Sequence, residues 1–265
     1  KGCAFVPAVA EPMPVQVFLK MLGLPLERMT EYRELVRSHL ADPEGDPRNT
    51  LKKLWRITAS MKDTILDRQK NPKDDLISLL WQTQIDGAPM TMDGMEDYCV
   101  LLFIAGLDTV MNGMCWGVRH LARDQELQAQ LRADPSVIPS ATEEQLRRYT
   151  FTVPPRRVNK DVEFKGVTMK KGDRAMLFLP AADLDPKEYA DPERFDMKRG
   201  ETNPHIAFNA GPHRCIGSHL ARVELQIVYE QMLKRLPPFR LDPANPPTFH
   251  GGHVLGVDSL HLLWN

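Results

Sequence analysis

The sequence has few cysteines, almost no net charge and no long apolar run. Its four cysteines, Cys3, Cys99, Cys115 and Cys215, show no pairing pattern, which favours a reducing cytosol over an oxidised, secreted setting. The formal net charge of −1 gives no overall attraction to nucleic acid or to an anionic membrane. The longest strongly apolar run, Val100 to Leu107, is too short to cross a bilayer, and no secretory signal precedes it. We therefore expect a cytoplasmic protein with no nucleic-acid or membrane partner.

Linkers, repeats and low-complexity tracts are also absent from the sequence. A chain of 265 residues can bury a core as one large domain or as two. Because no segment of linker composition divides it, we expect a single domain over residues 1–265. No glycine fingerprint of a flavin or dinucleotide site follows a predicted strand. Electrons for any redox reaction are therefore expected from a separate protein.

Helical periodicity dominates as far as Tyr149, and the longest predicted helix is Met92–Arg123, with Thr91 as its N-cap. The other predicted helices are Pro14–Leu22, Glu27–His39, Leu51–Gln69, Asp74–Gln82, Gln125–Ala133, Thr142–Tyr149 and Ser218–Arg235. Short strands are predicted at Arg157–Asp161, Glu163–Phe164, Val167–Met169 and Ala175–Leu179, and a second small sheet between Arg240 and Trp264. The fold class is mainly α with minor β.

The turn that contains Cys215 is the strongest chemical signal. It reads Phe-Asn-Ala-Gly-Pro-His-Arg-Cys-Ile-Gly from Phe208 to Gly217. Glycines at 211 and 217 permit backbone conformations closed to other residues and let the main chain approach a flat cofactor. The helix predicted from Ser218 would favour a thiolate at Cys215, because its N-terminal dipole and free N–H groups attract negative charge. A haem iron held by cysteine fits this pattern.

Two other interpretations of this cysteine remain open on the residues alone. His205, His213, Cys215 and His219 are spaced as in a zinc cluster, with Cys215 and His219 four residues apart on one helical face. No CxxC pair supports that interpretation. A single cysteine before a helix is also commonly a small buried hydrophobe.

Three motifs occur in the order found in one known family. They are Ala-Gly-Leu-Asp-Thr at Ala105–Thr109, Glu-Gln-Leu-Arg at Glu144–Arg147, and the turn Phe208–Gly217. With these motifs the chain resembles the cytochrome P450 family along essentially its whole length. The resemblance implies a cytochrome P450 fold that is partial, because the likeness begins partway into the family fold and its N-terminal part is not represented.

One branch of the family is particularly similar, the bacterial enzymes that hydroxylate camphor. The segments that carry this likeness are Ala10–Pro12, Met21–Pro25 and Glu163–Val167. The branch implies a monooxygenase that hydroxylates a small apolar substrate such as a cyclic monoterpenoid, using O2 and electrons from a 2Fe-2S ferredoxin with its reductase. Lys198, Arg199, Arg214 and Arg222 would form the basic docking patch for that ferredoxin.

The resemblance also assigns roles around haem b. Cys215 would be the axial ligand and the only metal ligand. The residues that would contact the cofactor are Phe208, Gly211, His213, Gly217, Arg156, Ala105 and Gly106. Of these, Arg156 and His213 would bind the haem propionates.

Asp108 and Thr109 would be the catalytic pair that supplies protons during oxygen activation. The Thr109 hydroxyl is placed to donate back to the carbonyl of Ala105 or Gly106 and to open or bend the helix. On the residues alone, Asp108 could equally pair with a distant arginine while Thr109 caps a kink. Glu144 and Arg147, three residues apart on one helical face, would form a structural pair that Arg194 completes.

The substrate wall implied by the resemblance comprises Leu101, Ile104, Thr152, Val153, His253 and Val254. Thr152 and His253 replace apolar residues of the camphor enzyme, and Pro154 replaces an acidic one. These changes imply a more polar or differently shaped ligand. Two further alternatives are a truncated or non-catalytic haem-binding protein with an incomplete pocket, and an enzyme driven by peroxide.

Overall fold

The computed structural model describes residues 1–40, 47–199 and 205–265. The chain divides into two compact units. The first, called the helical unit, is Pro7–Met111, and the second, the cysteine-loop unit, is Lys1–Val6 together with Asn112–Asn265. Helices predominate over strands in the described residues. The expected fold class, mainly α with minor β, is therefore confirmed.

In the helical unit the helices are α1 (Pro12–Met21), α2 (Met29–Leu40), α3 (Pro47–Lys70), α4 (Leu76–Trp81) and the first part of α5 (Met92–Arg123). A π-helical turn at Val6–Ala10 precedes α1, and a 3₁₀ turn at Leu26–Arg28 precedes α2. A small hairpin, β2 (Gln84–Ile85) and β3 (Ala88–Pro89), lies before α5. Its turn is Asp86-Gly87, and both residues have positive φ, as a tight hairpin turn requires.

The core of the helical unit is built on aromatic packing against α5. The ring of Phe103 contacts Phe18 of α1 and Tyr32 of α2, with centroids 6.0 and 5.6 Å apart. A Cβ on Gly106 would lie 3.2 Å from the Phe18 ring. The glycine in mid-helix therefore has a packing reason, since Phe18 lies against the α5 backbone at this point. The expected role of Gly106 as a residue that contacts the cofactor stays a prediction beside this packing reason.

In the cysteine-loop unit the helices are the second part of α5, α6 (Gln125–Ala133), α7 (Ile138–Arg148), α8 (Leu179–Ala182) and α9 (Ser218–Arg235). A 3₁₀ turn, Pro135–Val137, leads into α7, and α7 packs against α9. Asp124 caps α6, because its carboxylate accepts the Leu127 N–H at 2.9 Å. The side-chain amide of buried Gln128 in α6 donates from Nε2 to the Phe239 carbonyl and accepts the Phe239 N–H on Oε1. These two bonds connect α6 to the strand that contains Phe239.

The strands of this unit form small antiparallel sheets. The largest has the order β1 (Gly2–Ala4), β11 (His261–Trp264), β8 (Phe239–Leu241), with Cys3 opposite Leu262 and Leu263 opposite Arg240. The two-stranded pairs are β4 (Pro155–Arg157) with β7 (Arg174–Met176), β5 (Val162–Phe164) with β6 (Val167–Met169), and β9 (Thr248–His250) with β10 (Gly256–Ser259).

Several element boundaries agree with the sequence prediction, namely those of α5, α6, α9 and β6. Thr91 caps α5 as expected, since its hydroxyl accepts the Gly94 N–H at 3.1 Å. The prediction was wrong for α7, which begins at Ile138 with Pro139 in its first turn rather than at Thr142. It was also wrong for β4, which begins two residues early because Leu177 donates to the Pro154 carbonyl and extends the pairing.

By length and composition, one helix in the described part of the chain could cross a membrane, namely α5. Its most apolar 18-residue window has a mean hydropathy of 1.6, and half of that window is buried inside the protein. Buried residues of α5 include Phe103 and Leu107 in the helical unit and Met114 and Val118 in the cysteine-loop unit. The helix is thus also a core element, a role in which the same apolar composition is expected.

Candidate functional site

Cys215 lies in a tight turn directly before α9. Gly211 to His213 form a 3₁₀ turn, and both Asn209 and Gly211 have positive φ, at 60° and 63°. The Cys215 N–H donates to the Phe208 carbonyl at 2.9 Å, which closes the loop. The Cys215 side chain is exposed, and α9 begins three residues later at Ser218. The loop thus presents one free thiol at the N-terminal end of an 18-residue helix.

Space beside this loop is open. A Cβ on Gly211 would meet no atom within 4 Å, and a Cβ on Gly217 would meet only the Cys215 Sγ, at 3.8 Å. Ile216 is 86% exposed, although its side chain is fully apolar. These features suit a bulky, flat, largely apolar group against the loop.

The zinc interpretation of the same residues fails. Among the described residues, no group of three or more His, Cys, Asp or Glu side chains could hold a metal ion. His205 instead binds Glu143 through Nε2 at 3.2 Å and accepts the Ala207 N–H on Nδ1 at 3.2 Å. Both of its ring nitrogens are thus engaged by protein groups.

In the helical unit, Thr109 of α5 donates from Oγ1 to the Ala105 carbonyl at 2.7 Å. This is the expected bond, but α5 remains continuously helical through these residues. Asp108 is buried, with 6% of its surface exposed. Ala105 and Leu101 lie on one exposed apolar face of the same helix, and Leu101 is 59% exposed. The helix therefore offers an exposed apolar face on which the carbonyl of Ala105 accepts the Thr109 hydroxyl.

Glu144 and Arg147 form a buried ion pair on α7. Arg147 Nε and Nη2 each donate to the Glu144 carboxylate at 2.8 Å, and the two side chains are 0% and 1% exposed. Arg147 also donates to the carbonyls of Asp183 and Pro192, both at 2.8 Å or less. The pair therefore fastens α7 to the long segment that precedes the cysteine loop.

The second arginine of this network is not the one expected. Arg194 is exposed and contributes only its backbone carbonyl, 3.4 Å from Arg147 Nη2. The guanidinium that approaches Glu144 belongs to Arg199, whose Nε lies 3.5 Å from Oε1. Arg199 also donates to the carbonyls of Ala190 and Asp191, so its guanidinium holds the preceding backbone close to its own side chain.

The residues expected at the haem propionates lie in separate elements. Arg156 is half-buried in β4 and donates to the Pro155 carbonyl at 2.8 Å. His213 is exposed in the cysteine loop. Within the described ranges, no hydrogen bond or ion pair joins these two side chains to each other.

Four of the expected wall residues are brought together in the cysteine-loop unit. Thr152 forms an isolated antiparallel bridge with Val254, and the Val153 N–H donates to the His253 carbonyl at 2.8 Å. The Thr152 hydroxyl lies 3.5 Å from the Ala207 carbonyl, just before the cysteine loop. The remaining two wall residues, Leu101 and Ile104, lie on α5 in the helical unit.

Comparison with known proteins identifies the family. The cytochrome P450 family model matches residues 46–257. The chain belongs to the cytochrome P450 family. Curated relatives include the probable cytochrome P450 127A1 of Sinorhizobium fredii, 34% identical over 263 residues that cover 99% of this chain and 63% of the relative. The steroid C26-monooxygenase of Mycobacterium tuberculosis (strain CDC 1551 / Oshkosh) is 31% identical over 275 residues, covering 99% of this chain and 72% of the relative.

Solved cytochrome P450 structures superpose over the whole chain. CYP101J2 matches with a TM-score of 0.91 at 31% identity, covering 100% of this chain and 65% of that structure. CYP101C1 matches with a TM-score of 0.90 at 33% identity, covering 100% and 66%. The cytochrome P450 fold is thereby confirmed. The chain therefore spans between 63% and 72% of the length of these relatives and solved structures.

Cytochrome P450s bind haem b through a cysteine thiolate. The residues of this P450 fit that group. Cys215 is exposed and free of any disulfide, and the glycines on either side of it leave open space where a planar cofactor has room. The side chain of Ile216, next to Cys215 in sequence, is apolar and exposed, and an apolar cofactor bound at the loop would cover it.

Two of the basic residues expected to dock a ferredoxin are engaged inside this P450. Arg222 of α9 binds the Glu143 carboxylate with Nε at 2.5 Å and Nη2 at 2.9 Å. Arg199 is held by Glu144 and by backbone carbonyls. Lys198 and Arg214 are exposed. The expected patch is therefore reduced to these two side chains.

Sequence reasoning missed three titratable groups with shifted pKa values, of which Glu224 is buried and Glu143 and His120 are partly buried. Burial raises the pKa of Glu224 on α9 to about 7, and burial lowers the pKa of His120 on α5 to about 4. Burial alone would raise the pKa of Glu143, but hydrogen bonds from His205 and Arg222 outweigh it and lower this pKa to about 2. In the sequence, Glu143 is only an off-register alternative to Glu144. A glutamate facing an arginine of another helix gives no signal in a single sequence.

Proposed function

We propose that this chain is the haem-binding part of a cytochrome P450 monooxygenase. The reaction inserts one atom of O2 into an unactivated C–H bond and releases the other as water, at the expense of two electrons and two protons. The observation that carries the proposal is the exposed thiol of Cys215, held in a glycine-flanked turn with open space beside it. Relatives named as monooxygenases and hydroxylases support it.

Haem, held by the Cys215 thiolate, would supply the activation of O2. Residues of the chain hold the reactants. Thr109 keeps its hydroxyl directed at the Ala105 carbonyl at 2.7 Å, which leaves the Oγ1 lone pairs to accept a proton donor. Asp108, buried one residue earlier, is the carboxyl that we propose acts with Thr109 in the supply of protons.

For the substrate we propose a small, largely apolar molecule such as a cyclic monoterpenoid. Structural similarity to CYP101J2 and CYP101C1 supports the camphor-hydroxylating branch. Relatives by sequence carry other names, among them steroid C26-monooxygenase and mycinamicin IV hydroxylase/epoxidase. Thr152, which pairs with Val254, and His253, whose carbonyl accepts the Val153 N–H, would each add a polar group to the wall. These groups favour a ligand that carries a hydrogen-bonding atom.

For the electron donor we propose a 2Fe-2S ferredoxin with its reductase, in the cytoplasm. Lys198 and Arg214 are the basic groups near the loop that remain exposed and can attract an acidic partner. Their contribution would be mainly to the rate of encounter and would therefore weaken with added salt.

The experiment is a carbon monoxide spectrum of the reduced chain after addition of haem. A strongly red-shifted Soret band supports thiolate ligation by Cys215, and spin-state shifts on addition of monoterpenoids then test the substrate class. Product formation with a ferredoxin system supports the monooxygenase. Haem uptake without any turnover would instead support a non-catalytic haem-binding protein, and turnover only with peroxide would support a peroxide-driven enzyme.

A further inference from the structure

Four residues form a cluster between α7, α9 and the start of the cysteine loop. We call Glu143, Arg222, His205 and Phe208 the Glu143 cluster. Glu143 accepts two hydrogen bonds from Arg222, at 2.5 and 2.9 Å, and one from His205 Nε2 at 3.2 Å. The ion pair is partly buried, with Glu143 27% and Arg222 23% exposed, while the His205 side chain is 5% exposed. One carboxylate thus joins two helices and the loop.

The protonation of His205 follows from its partners. The Ala207 N–H donates to Nδ1 at 3.2 Å, so Nδ1 acts as an acceptor and the ring proton lies on Nε2. Nε2 is then the donor to Glu143. The Glu143 carboxylate therefore binds the segment that leads into the loop by accepting the Nε2–H of His205.

Arg222 reaches the loop by a second route. Its guanidinium carbon lies 4.6 Å from the centroid of the Phe208 ring, within cation–π distance. The Phe208 carbonyl in turn accepts the Cys215 N–H at 2.9 Å. A continuous series of contacts therefore runs from Glu143 through Arg222 and Phe208 to the backbone of Cys215.

We propose that Arg222 is a positioning residue of the cysteine loop, acting through Glu143 and Phe208 on the backbone of Cys215. This assignment replaces its expected place in a ferredoxin docking patch. A guanidinium that already makes a two-point ion pair and covers an aromatic ring has little capacity left for a partner protein. The part of this inference that concerns haem ligation rests on the proposed function. The part that concerns the position of the loop is independent of the proposed function.

The first test uses the haem-free chain and needs no cofactor. The exchange rate of the Cys215 amide hydrogen with solvent reports directly on its bond to Phe208. In Glu143→Gln and in Arg222→Gln we expect exchange at Cys215 to rise by roughly 5-fold to 100-fold, the range typical of coupled neighbours in one ion-pair network. Arg222→Lys, which keeps the charge and the apolar stem, should show a smaller rise.

Matched controls come from the same helix and unit. Arg235→Gln removes an exposed arginine at the end of α9 and should leave exchange at Cys215 unchanged. Amides of the more buried β8–β11 pairing in the same samples should keep their rates in every variant, which separates local loosening from global unfolding. If the glutamine variants do not fold, the Arg222→Lys comparison with Arg235→Lys carries the test.

The second test uses the haem-loaded chain and separates positioning from docking. If Arg222 positions the loop, Glu143→Gln and Arg222→Gln both increase the fraction of haem that is ligated by the neutral thiol instead of the thiolate, as read from the carbon monoxide spectrum. Both variants also shift the reduction potential of the haem iron in the same direction. If Arg222 instead docks ferredoxin, Arg222→Gln weakens ferredoxin binding, Glu143→Gln strengthens it, and Cys215 exchange is unchanged in both. That second pattern overturns the proposal. Failure of the wild-type chain to take up haem contradicts the proposed function but leaves the exchange result standing.

Discussion

Arg147 donates two hydrogen bonds of 2.8 Å to Glu144 inside α7, and neither side chain has more than 1% of its surface exposed. Removing one partner of such a pair leaves the other charge buried without compensation. We predict that Arg147→Leu lowers the free energy of unfolding by about 3–5 kcal/mol, measured by urea unfolding of the haem-free chain.

Arg148 is the matched control for this change, since it lies on the same helix and pairs with Glu193 at 3.5 Å. Glu193 is 82% exposed, so Arg148→Gln should cost no more than about 1 kcal/mol. Equal losses in the two variants would contradict a special role for the buried pair.

Cys215→Ser is predicted to remove thiolate ligation. A serine hydroxyl keeps the size of the side chain but does not supply a soft sulfur ligand at neutral pH. The red-shifted Soret band of the reduced carbon monoxide complex should disappear. Cys3→Ser, in strand β1, should keep it. Retention of that band in Cys215→Ser would exclude Cys215 as the ligand.

Thr109→Val is predicted to uncouple oxygen consumption from product formation. Valine has the shape of threonine but lacks the hydroxyl that binds the Ala105 carbonyl at 2.7 Å. A positioned proton donor typically accelerates its step by about a hundredfold or more, so its loss should divert reducing equivalents to hydrogen peroxide. The measurement is the ratio of product to peroxide. Thr109→Ser restores the hydroxyl and should restore most of the coupling, and unchanged coupling in the valine variant would remove Thr109 from the proton path.

Gly117→Ala is predicted to destabilise the cysteine-loop unit although alanine is the better helix former. A Cβ at this position of α5 would overlap the Gln145 amide and the Tyr229 hydroxyl. Overpacking of a buried site costs about 1–3 kcal/mol, against about 1 kcal/mol gained from helix propensity. Urea unfolding should therefore show a net loss. Gly251→Ala, where a Cβ meets nothing within 4 Å, should be close to neutral. A more stable Gly117→Ala chain would contradict this packing.

Some elements of the structure could be predicted from the sequence, and others could not. The ends of α5, α6 and α9 were predicted correctly, because start and stop signals such as the caps Thr91 of α5 and Asp124 of α6 are local properties of the chain. Thr109 and Ala105 could be paired in advance because they are four residues apart on one helix. The β2–β3 hairpin was missed although its Asp86-Gly87 turn is a local signal. That omission was avoidable.

Contacts between distant segments were not accessible in the same way. The sequence of α9 predicts a helix, but it does not show that Arg222 meets Glu143, 79 residues away. Arg194 was expected beside Glu144, but Arg199 lies there. This error has the same origin, since the position of either arginine depends on the path of an irregular segment. The packing of Phe18 against Gly106 was not accessible either, because Phe18 approaches from another helix.

Two buried groups should oppose each other in the pH dependence of stability. His120 has a pKa lowered from 6.5 to about 4, first by burial and then by nearby arginines. Between these values the unfolded state holds the proton and the folded state does not, so stability rises with pH. Glu224 has a pKa raised from 4.5 to about 7 by burial. Between those values the folded state holds the proton, so stability falls as pH rises.

Between about pH 4.5 and 6.5 the contributions of His120 and Glu224 should nearly cancel, because each changes stability by at most about 1.4 kcal/mol per pH unit, with opposite sign. Relative to wild type, His120→Gln should become less stable as pH rises through this window, and Glu224→Gln should become more stable. Other titrating groups cancel in the comparison with wild type. Urea unfolding at pH 5 and pH 6 measures both slopes. Variants that run parallel to wild type would show that neither group is desolvated in the folded chain, whereas opposite slopes identify each residue separately.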